Sequence, residues 1–367
     1  MAYIMHQLQF AVLAIVDATA CLPRPQQRVP PLRASRLDGR CIARGVEFEL
    51  NWGVAMTRQK LTFGMLAVLF FSIITTLAQA PTVSVSKFNN VNAPGAIETD
   101  AYAVNSFKVI AGDYVDQNNV QHGMLLNGKT LTSVDRSGCQ STPGPGSIAF
   151  FGINNAKGPA VTVVGWCFDT NQKTDVAFLY SNGAFTAIQP PSSISTIAQG
   201  LNDKGEVVGA FLDTRNVQHA FLFTGTQYIT LDVPNHTVPN AWSINSNGRI
   251  SIFALNTKSL YDSFLFNGKS YTKVNVKGAV NNFIHAIDDS GDRVYTITDS
   301  NGDYHGVFFL AGPGSGFAEF EFPDATETQA FGLSDKLEIV GDYQKSADHS
   351  ESSSSKGYSA LGCCRPE

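Results

Sequence analysis

Three features of this 367-residue chain carry chemistry-capable side chains at fixed spacing. The first is an Asp followed six residues later by a His: Asp116/His122, Asp213/His219 and Asp299/His305. A carboxylate beside an imidazole is a fragment of a zinc site, an acid–base pair, or a hydrogen bond across a turn. One His per repeat does not bring three ligands to one ion, so the spacing favours a structural pair and no metal site is expected. The second feature is a pair of acidic turns, Asp299-Ser300-Asn301-Gly302-Asp303 and Asp288-Asp289-Ser290-Gly291-Asp292. Each resembles the start of a calcium loop but lacks the Glu at the twelfth position, and Asp, Asn, Ser and Gly are also ordinary turn residues. Calcium is the cofactor these turns raise; otherwise none is expected. The third feature is two cysteines, Cys139 and Cys167, which either pair in an oxidising compartment or stay as thiols. No phosphate loop, Gly-x-Ser-x-Gly elbow or Cys-x-x-Cys pair occurs, and no Ser/His/Asp or Cys/His set presents itself, so no catalytic residue is assigned.

The elements that carry these residues form a repeat. Its clearest copy runs Ala198-Gln199-Gly200-Leu201-Asn202-Asp203-Lys204-Gly205. With Asn202 as anchor, the counterparts are Asn105, Asn154, Asn245, Asp288 and Ser334, at steps of 49, 48, 43, 43 and 46 residues. Such a period marks a solenoid, a propeller or an array. Each unit reads as four short strands: one ending at the anchor, then Glu206 to Leu212, His219 to Phe223 and Tyr228 to Val233 in the clearest copy, separated by Gly/Asn/Asp turns. The predicted fold is therefore all-β, a six-bladed β-propeller of four-stranded blades. The fourth strand has an aromatic, an apolar residue at +3 and Pro at +6, as in Tyr228/Leu231/Pro234 and Phe317/Phe320/Pro323. The same pattern precedes the first unit as Phe88/Val91/Pro94, while the sixth unit lacks a fourth strand. Residues 86–92 are thus expected to complete the last blade and close the ring, hiding two sheet edges.

The strand before each anchor should line the axis. Three before the anchor stands the variable set Tyr102, Phe151, Gln199, Trp242, His285 and Phe331; one before it is always aliphatic, and two before it is small. Strand alternation puts the variable and aliphatic positions on one face, packed between blades. The binding alternative is that the variable set emerges at the channel mouth as an aromatic platform for a sugar or peptide.

The His219-Ala220-Phe221 triplet, with His122-Gly123-Met124 and His305-Gly306-Val307 as related forms, resembles the signature of bacterial HAF-family extracellular repeat proteins. The likeness covers about residues 86–343. It implies a secreted repeat protein and assigns no reaction.

Four regions follow. Residues 1–55 read as a gene-model extension or a disordered segment, with Met56 the expected start. Residues 56–78 read as an export signal: Arg58 and Lys60, an apolar run from Leu61 to Leu77, and cleavage after Ala78. Residues 79–343 form the propeller, and 344–367 an irregular Ser-rich tail in which Tyr358 to Leu361 could serve as a third strand. The expected location is extracellular or periplasmic, with contact to the membrane only through an uncleaved signal. A net charge of −5 gives no basic footprint for nucleic acid. The expectation is a monomer that binds extracellular glycan or protein without catalysis; the alternative is a propeller enzyme acting on extracellular polysaccharide.

Overall fold

Period-two alternation, β-branched and aromatic residues and Gly/Asn turns give strands almost throughout. The computed structural model describes residues 82–143, 147–312, 314–345 and 356–365. The expected N-terminal extension and export signal lie outside these residues. A first strand, β1 (Thr82–Val91), precedes the repeats. Blade one is β2 (Glu98–Val104), β3 (Val109–Val115), β4 (Gln121–Asn127) and β5 (Thr130–Val134); blade two is β6 (Ala149–Ile153), β7 (Thr162–Asp169), β8 (Thr174–Ser181) and β9 (Ala184–Ile188). Blade three is β10 (Ser193–Leu201), β11 (Val207–Asp213), β12 (Gln218–Phe223) and β13 (Tyr228–Thr230); blade four is β14 (Thr237–Ile244), β15 (Ile250–Leu255), β16 (Tyr261–Phe266) and β17 (Tyr271–Val274). Blade five is β18 (Asn281–Ile287), β19 (Arg293–Thr298), β20 (Tyr304–Leu310) and β21 (Gly316–Phe320). Blade six starts with β22 (Glu327–Leu333) and β23 (Glu338–Gln344) and takes β24 (Lys356–Arg365) as its third strand.

Four blades are separate four-stranded antiparallel sheets in chain order. Blades one and six share a sheet, joined by a single parallel bridge between Thr99 and Lys356. The fourth strand of blade six is β1, which pairs with β24, so the ring closes through its N-terminal strand. Phe88 of β1 holds this seam, its ring 6.0 Å from Phe320, 5.9 Å from Phe322 and 6.4 Å from Tyr358. The tail supplies the third strand expected over Tyr358 to Leu361, and the strand is longer, running from Lys356 with Tyr358 fully buried and Ala360 nearly so, so these residues are not irregular. Ser350 to Ser355 lie outside the described residues.

The core is a set of clusters between neighbouring blades. Val208, Ala220 and Leu231 of blade three, for example, pack with Ile244, Ile252 and Phe264 of blade four. Residues Val83–Cys363 form one compact unit.

Candidate functional site

One device positions the axial residues in all six blades. In each innermost strand, the pairing with the second strand skips one residue. Ala101 faces Gly112 and Ala103 faces Ala111, which leaves Tyr102 extra. The skipped residues of the other blades are Phe151, Gln199, Trp242, His285 and Phe331. The variable set is therefore the set of β-bulge residues, and a bulge re-aims its side chain. This corrects the expectation that strict alternation buries them between blades with the aliphatic positions. The bulge also explains the glycine in the facing strand. At Gly112, Gly209 and Gly341 a Cβ would run into the carbonyl oxygens of Asp100, Ile197 and Gln329.

The bulged side chains meet across the axis. Tyr102 stacks on Phe151 at 4.6 Å and lies 5.3 Å from Phe331. Trp242 is 4.6 Å from His285 and 6.1 Å from Phe151, and His285 is 4.9 Å from Phe331. They form a layer inside the channel, not a platform at its mouth. The small residues two before the anchor admit this closeness: a Cβ on Gly200 would lie 2.8 Å from the Trp242 carbonyl oxygen in the next blade.

The mouth is built by the residues one past each anchor, of which only Asp289, in its acidic turn, stands out in the sequence. Ser106 N–H donates to Asn155 Oδ1, Asn155 N–H to Asp203 Oδ1, Ser246 N–H to Asp289 Oδ1 and Asp289 N–H to Asp335 Oδ1, at 2.6–3.1 Å. Asn155 Nδ2 also reaches Asp335 Oδ2 at 2.6 Å, tying blade two to blade six. The anchors link blades one layer deeper. Asn105, Asn202 and Asn245 each donate Nδ2 to the carbonyl of the next blade's anchor, at 2.9–3.1 Å, while Oδ1 caps their own turn. The signal was present as Ser, Asn or Asp after every anchor, but those types also fill any tight turn.

Between mouth and aromatic layer lies an axial cavity of about 90 Å³. All six bulged residues line it, with Asn155, Asp203, Asp288, Asp289 and Asp335. Gln199, 4 % exposed, has an Oε1 without a hydrogen-bond partner there. Burial lowers the His285 pKa to about 4, against the pull of its Nδ1–H bond to the Ala330 carbonyl, so the imidazole is neutral at pH 7. Burial raises the Asp335 carboxyl, aided by the charges of Asp289 and Asp203 and opposed by its hydrogen bonds. Burial and the neighbouring Asp292 charge raise Asp288 as well.

The Asp/His pairs are arranged differently from the expected hairpin bond. His122 Nε2 is 3.7 Å from Asp116, whereas its Nδ1 bonds to Asp135 Oδ1 at 2.7 Å. His219 likewise bonds to Asp232 at 2.8 Å and His305 to Glu321 at 2.5 Å. Asp116, Asp213 and Asp299 spend Oδ1 on backbone N–H groups of their own turns, which holds each carboxyl below its usual range despite partial desolvation. Blade four reverses the arrangement: Asp262 accepts from His236 Nε2 at 3.1 Å and Lys273 at 2.7 Å. His305 remains above its ordinary pKa because the Glu321 bond and three nearby carboxylates outweigh its desolvation. Among the described residues, no group of three or more His, Cys, Asp or Glu is placed to hold a metal ion.

Cys139 and Cys167 are joined in a disulfide with Cα atoms 5.6 Å apart. A second titratable cluster lies where blade one meets blade six. Asp113 and Asp342 are buried and raised well above the usual carboxylate range, by burial first and then by neighbouring Asp100. Asp342 Oδ1 accepts from Ala101 N–H, and Asp113 Oδ2 from Gln121 at 2.6 Å, leaving Asp113 Oδ1 without a partner. Tyr102 is raised by burial and by these carboxylates.

No family model matches the chain, and no curated protein matches it. Solved structures do. A lectin of Aleuria aurantia in complex with a fucosylated GlcNAc is 11 % identical over 73 % of this chain and 96 % of that one, with a TM-score of 0.43. A sialidase of Trypanosoma rangeli is 10 % identical over 78 % and 59 %, at 0.43. TolB of Acinetobacter baumannii is 10 % identical over 82 % and 70 %, at 0.42. The propeller assignment rests on the sheet topology described above.

Proposed function

We infer that this chain is an exported β-propeller of the HAF-repeat kind, a binding or scaffold protein of the cell exterior that works without catalysis. One observation carries the reading: the His and carboxylate groups of blades one, three and five form equivalent, mutually bonded sets. A catalytic centre instead gathers one asymmetric set of poised groups in a pocket. The apolar run from Leu61 to Leu77 and the Cys139–Cys167 disulfide suit export. The ligand classes that fit are glycan and protein. A whole sugar would meet the blade faces, since the axial cavity is well below the roughly 300 Å³ of a usual ligand pocket.

The enzyme reading has two observations in its favour: His285, Asp288 and Asp335, with displaced pKa values, line the axial cavity, and Asp113 and Asp342 are buried beside Tyr102. Of this second cluster, Tyr102 alone lines the cavity. The test is a thermal-shift screen of the full chain against glycan and metal panels, with a parallel assay for polysaccharide cleavage. Binding without turnover is the expected result. Turnover lost in Asp113→Asn or Asp342→Asn would overturn the reading in favour of the enzyme.

A further inference from the structure

We propose that the end of the ring remote from the mouth is the contact surface of a face-to-face dimer, formed with a second copy of this chain in place of the monomer expected from the sequence. The proposal goes beyond the binding reading above and does not depend on it.

The surface is apolar near the axis. Among the described residues eight large apolar side chains are strongly exposed, and five of them stand at this one end: Ile97, Ile194, Val217, Val238 and Val280, each 37–48 % exposed. Topology places them together. Each innermost strand ends at its anchor in the mouth and so begins at the opposite end, where the turn from second to third strand also lies. Ile97, Ile194 and Val280 each stand eight residues before an anchor, and Val238 seven, so four blades present an aliphatic residue at the start of the strand nearest the axis. Val217 adjoins them from the turn of blade three, where Gln218 Nε2 donates to the Pro239 carbonyl beside Val238 at 3.1 Å. The place accepts a polar residue, since blade six carries the exposed Thr326 there. Together the five side chains offer a few hundred Å² of apolar surface per copy, the scale that marks an interaction site. They would form the core of a standard interface of about 800 Å² per partner, with the surrounding turns as its polar rim.

Charge selects the occupant. At this end the turns of blades two and four carry the exposed cations Lys173 and Lys258. The turn of blade five carries Asp299 and Asp303 and that of blade one Asp116, with no cation in either. Asp169 of blade two is already paired with Arg136, and Arg215 of blade three with Asp213, so neither pair adds net charge. Cations therefore lie on one side of a line through the axis and anions on the other. A dimer two-fold along that line passes between blades one and two and between blades four and five. It lays blade two of one copy on blade one of the other, and blade four on blade five. Lys173 then meets Asp116 of the second copy, and Lys258 meets its Asp299 and Asp303, each contact occurring twice. A closed two-fold interface requires this self-complementarity. A partner of one charge sign would meet repulsion on half of the face.

The experiment is sedimentation of the full chain over a range of micromolar concentrations. The mass should rise with concentration to twice that of the chain. Ile194→Ser with Val280→Ser, both at exposed positions, should weaken association about tenfold or more, with the melting temperature of the dilute monomer unchanged. Lys258→Glu and Asp303→Lys should each weaken self-association about tenfold, because each sets like charges opposite one another twice, and an equimolar mixture of the two should associate as tightly as the parent. Lys204→Glu, in a turn at the mouth, should leave association as it is. A monomer throughout the range would overturn the proposal and give the face to another segment or another protein. Association indifferent to the far-end variants, as through the apolar run Leu61 to Leu77, would also overturn it, and so would a mixture of Lys258→Glu and Asp303→Lys chains that fails to restore it. None of these outcomes touches the binding reading, which stands or falls with the glycan screen and the cleavage assay.

Discussion

Acidification from pH 7 to pH 5 should weaken the ring through one side chain, His285. Its imidazole is 7 % exposed, enclosed by Trp242, Phe283 and Phe331, and bonded through Nδ1–H to the Ala330 carbonyl with Thr296 Oγ1 at 3.2 Å. Burial holds its pKa at about 4, against 6.5 for an ordinary imidazole. The unfolded chain therefore binds this proton more readily, and stability falls as pH drops from 6.5 toward 4. With those two values the loss is about 2 kcal/mol at pH 5 and about 3 kcal/mol at pH 4. For a domain of this size 2 kcal/mol is a shift of about 4–8 °C or somewhat less. Asp113, Asp335 and Asp342 are raised in the fold and work in the opposite direction, gaining stability as pH falls. The assay must therefore be a difference. His285→Gln keeps a donor for the Ala330 carbonyl and removes the titration. Denaturant unfolding of parent and variant at pH 7 and pH 5 should show the parent losing about 2 kcal/mol relative to the variant. Parallel curves, or an imidazole that titrates near 6.5 by NMR, would refute the reasoning.

Three further outcomes are expected. Asp288 occupies an anchor place where three other blades use an Asn amide as donor to the next blade, so Asp288→Asn should raise the melting temperature, more at pH 8 than at pH 5. The sign follows from its raised pKa: the stability that the protonated acid contributes is lost as pH rises through the folded value, as paired melts at the two pH values would show. Replacing Cys139 and Cys167 by Ser opens a loop with a sequence separation of 28 and should cost about 3–4 kcal/mol in chain entropy, measured by urea unfolding. Tyr358→Ala in β24 should cost about 3–5 kcal/mol, because a fully buried ring at the closure seam is lost, and unchanged stability would detach that strand from blade six.

The ring was readable because the repeat carries its own punctuation. Asn202 and its counterparts cap a hairpin and then link to the next blade, so one residue type marks both turn and period. The closing strand was readable because Phe88 and Val91 copy the pattern of Tyr228 and Leu231. The aromatic layer was half readable. Variation at one place named its members, but the mark the bulge leaves in residue type stands in the facing strand, at Gly112, Gly209 and Gly341, so strict alternation gave the wrong face for Tyr102 and its counterparts. The mouth was not readable, since Asp203 and Asp289 follow anchors in turns where acidic residues need no other reason. The bond from His122 to Asp135 was missed because its acceptor stands thirteen residues away, past β4 and β5, where no local spacing connects the two.

The axial site exists only if six blades bring the residues after their anchors to one axis. Asn155 and Asp335 are 180 residues apart in sequence and 2.6 Å apart at the mouth. A chain carrying Asn155→Cys and Asp335→Cys, with Cys21, Cys41, Cys363 and Cys364 each replaced by Ser, should form an intramolecular cross-link with the shortest thiol-reactive bifunctional reagent, found by mass spectrometry as one joined peptide pair. Rapid cross-linking at native protein concentration is the result the ring requires. Failure of a folded, disulfide-intact double variant to cross-link would contradict the shared axis and the cavity built on it.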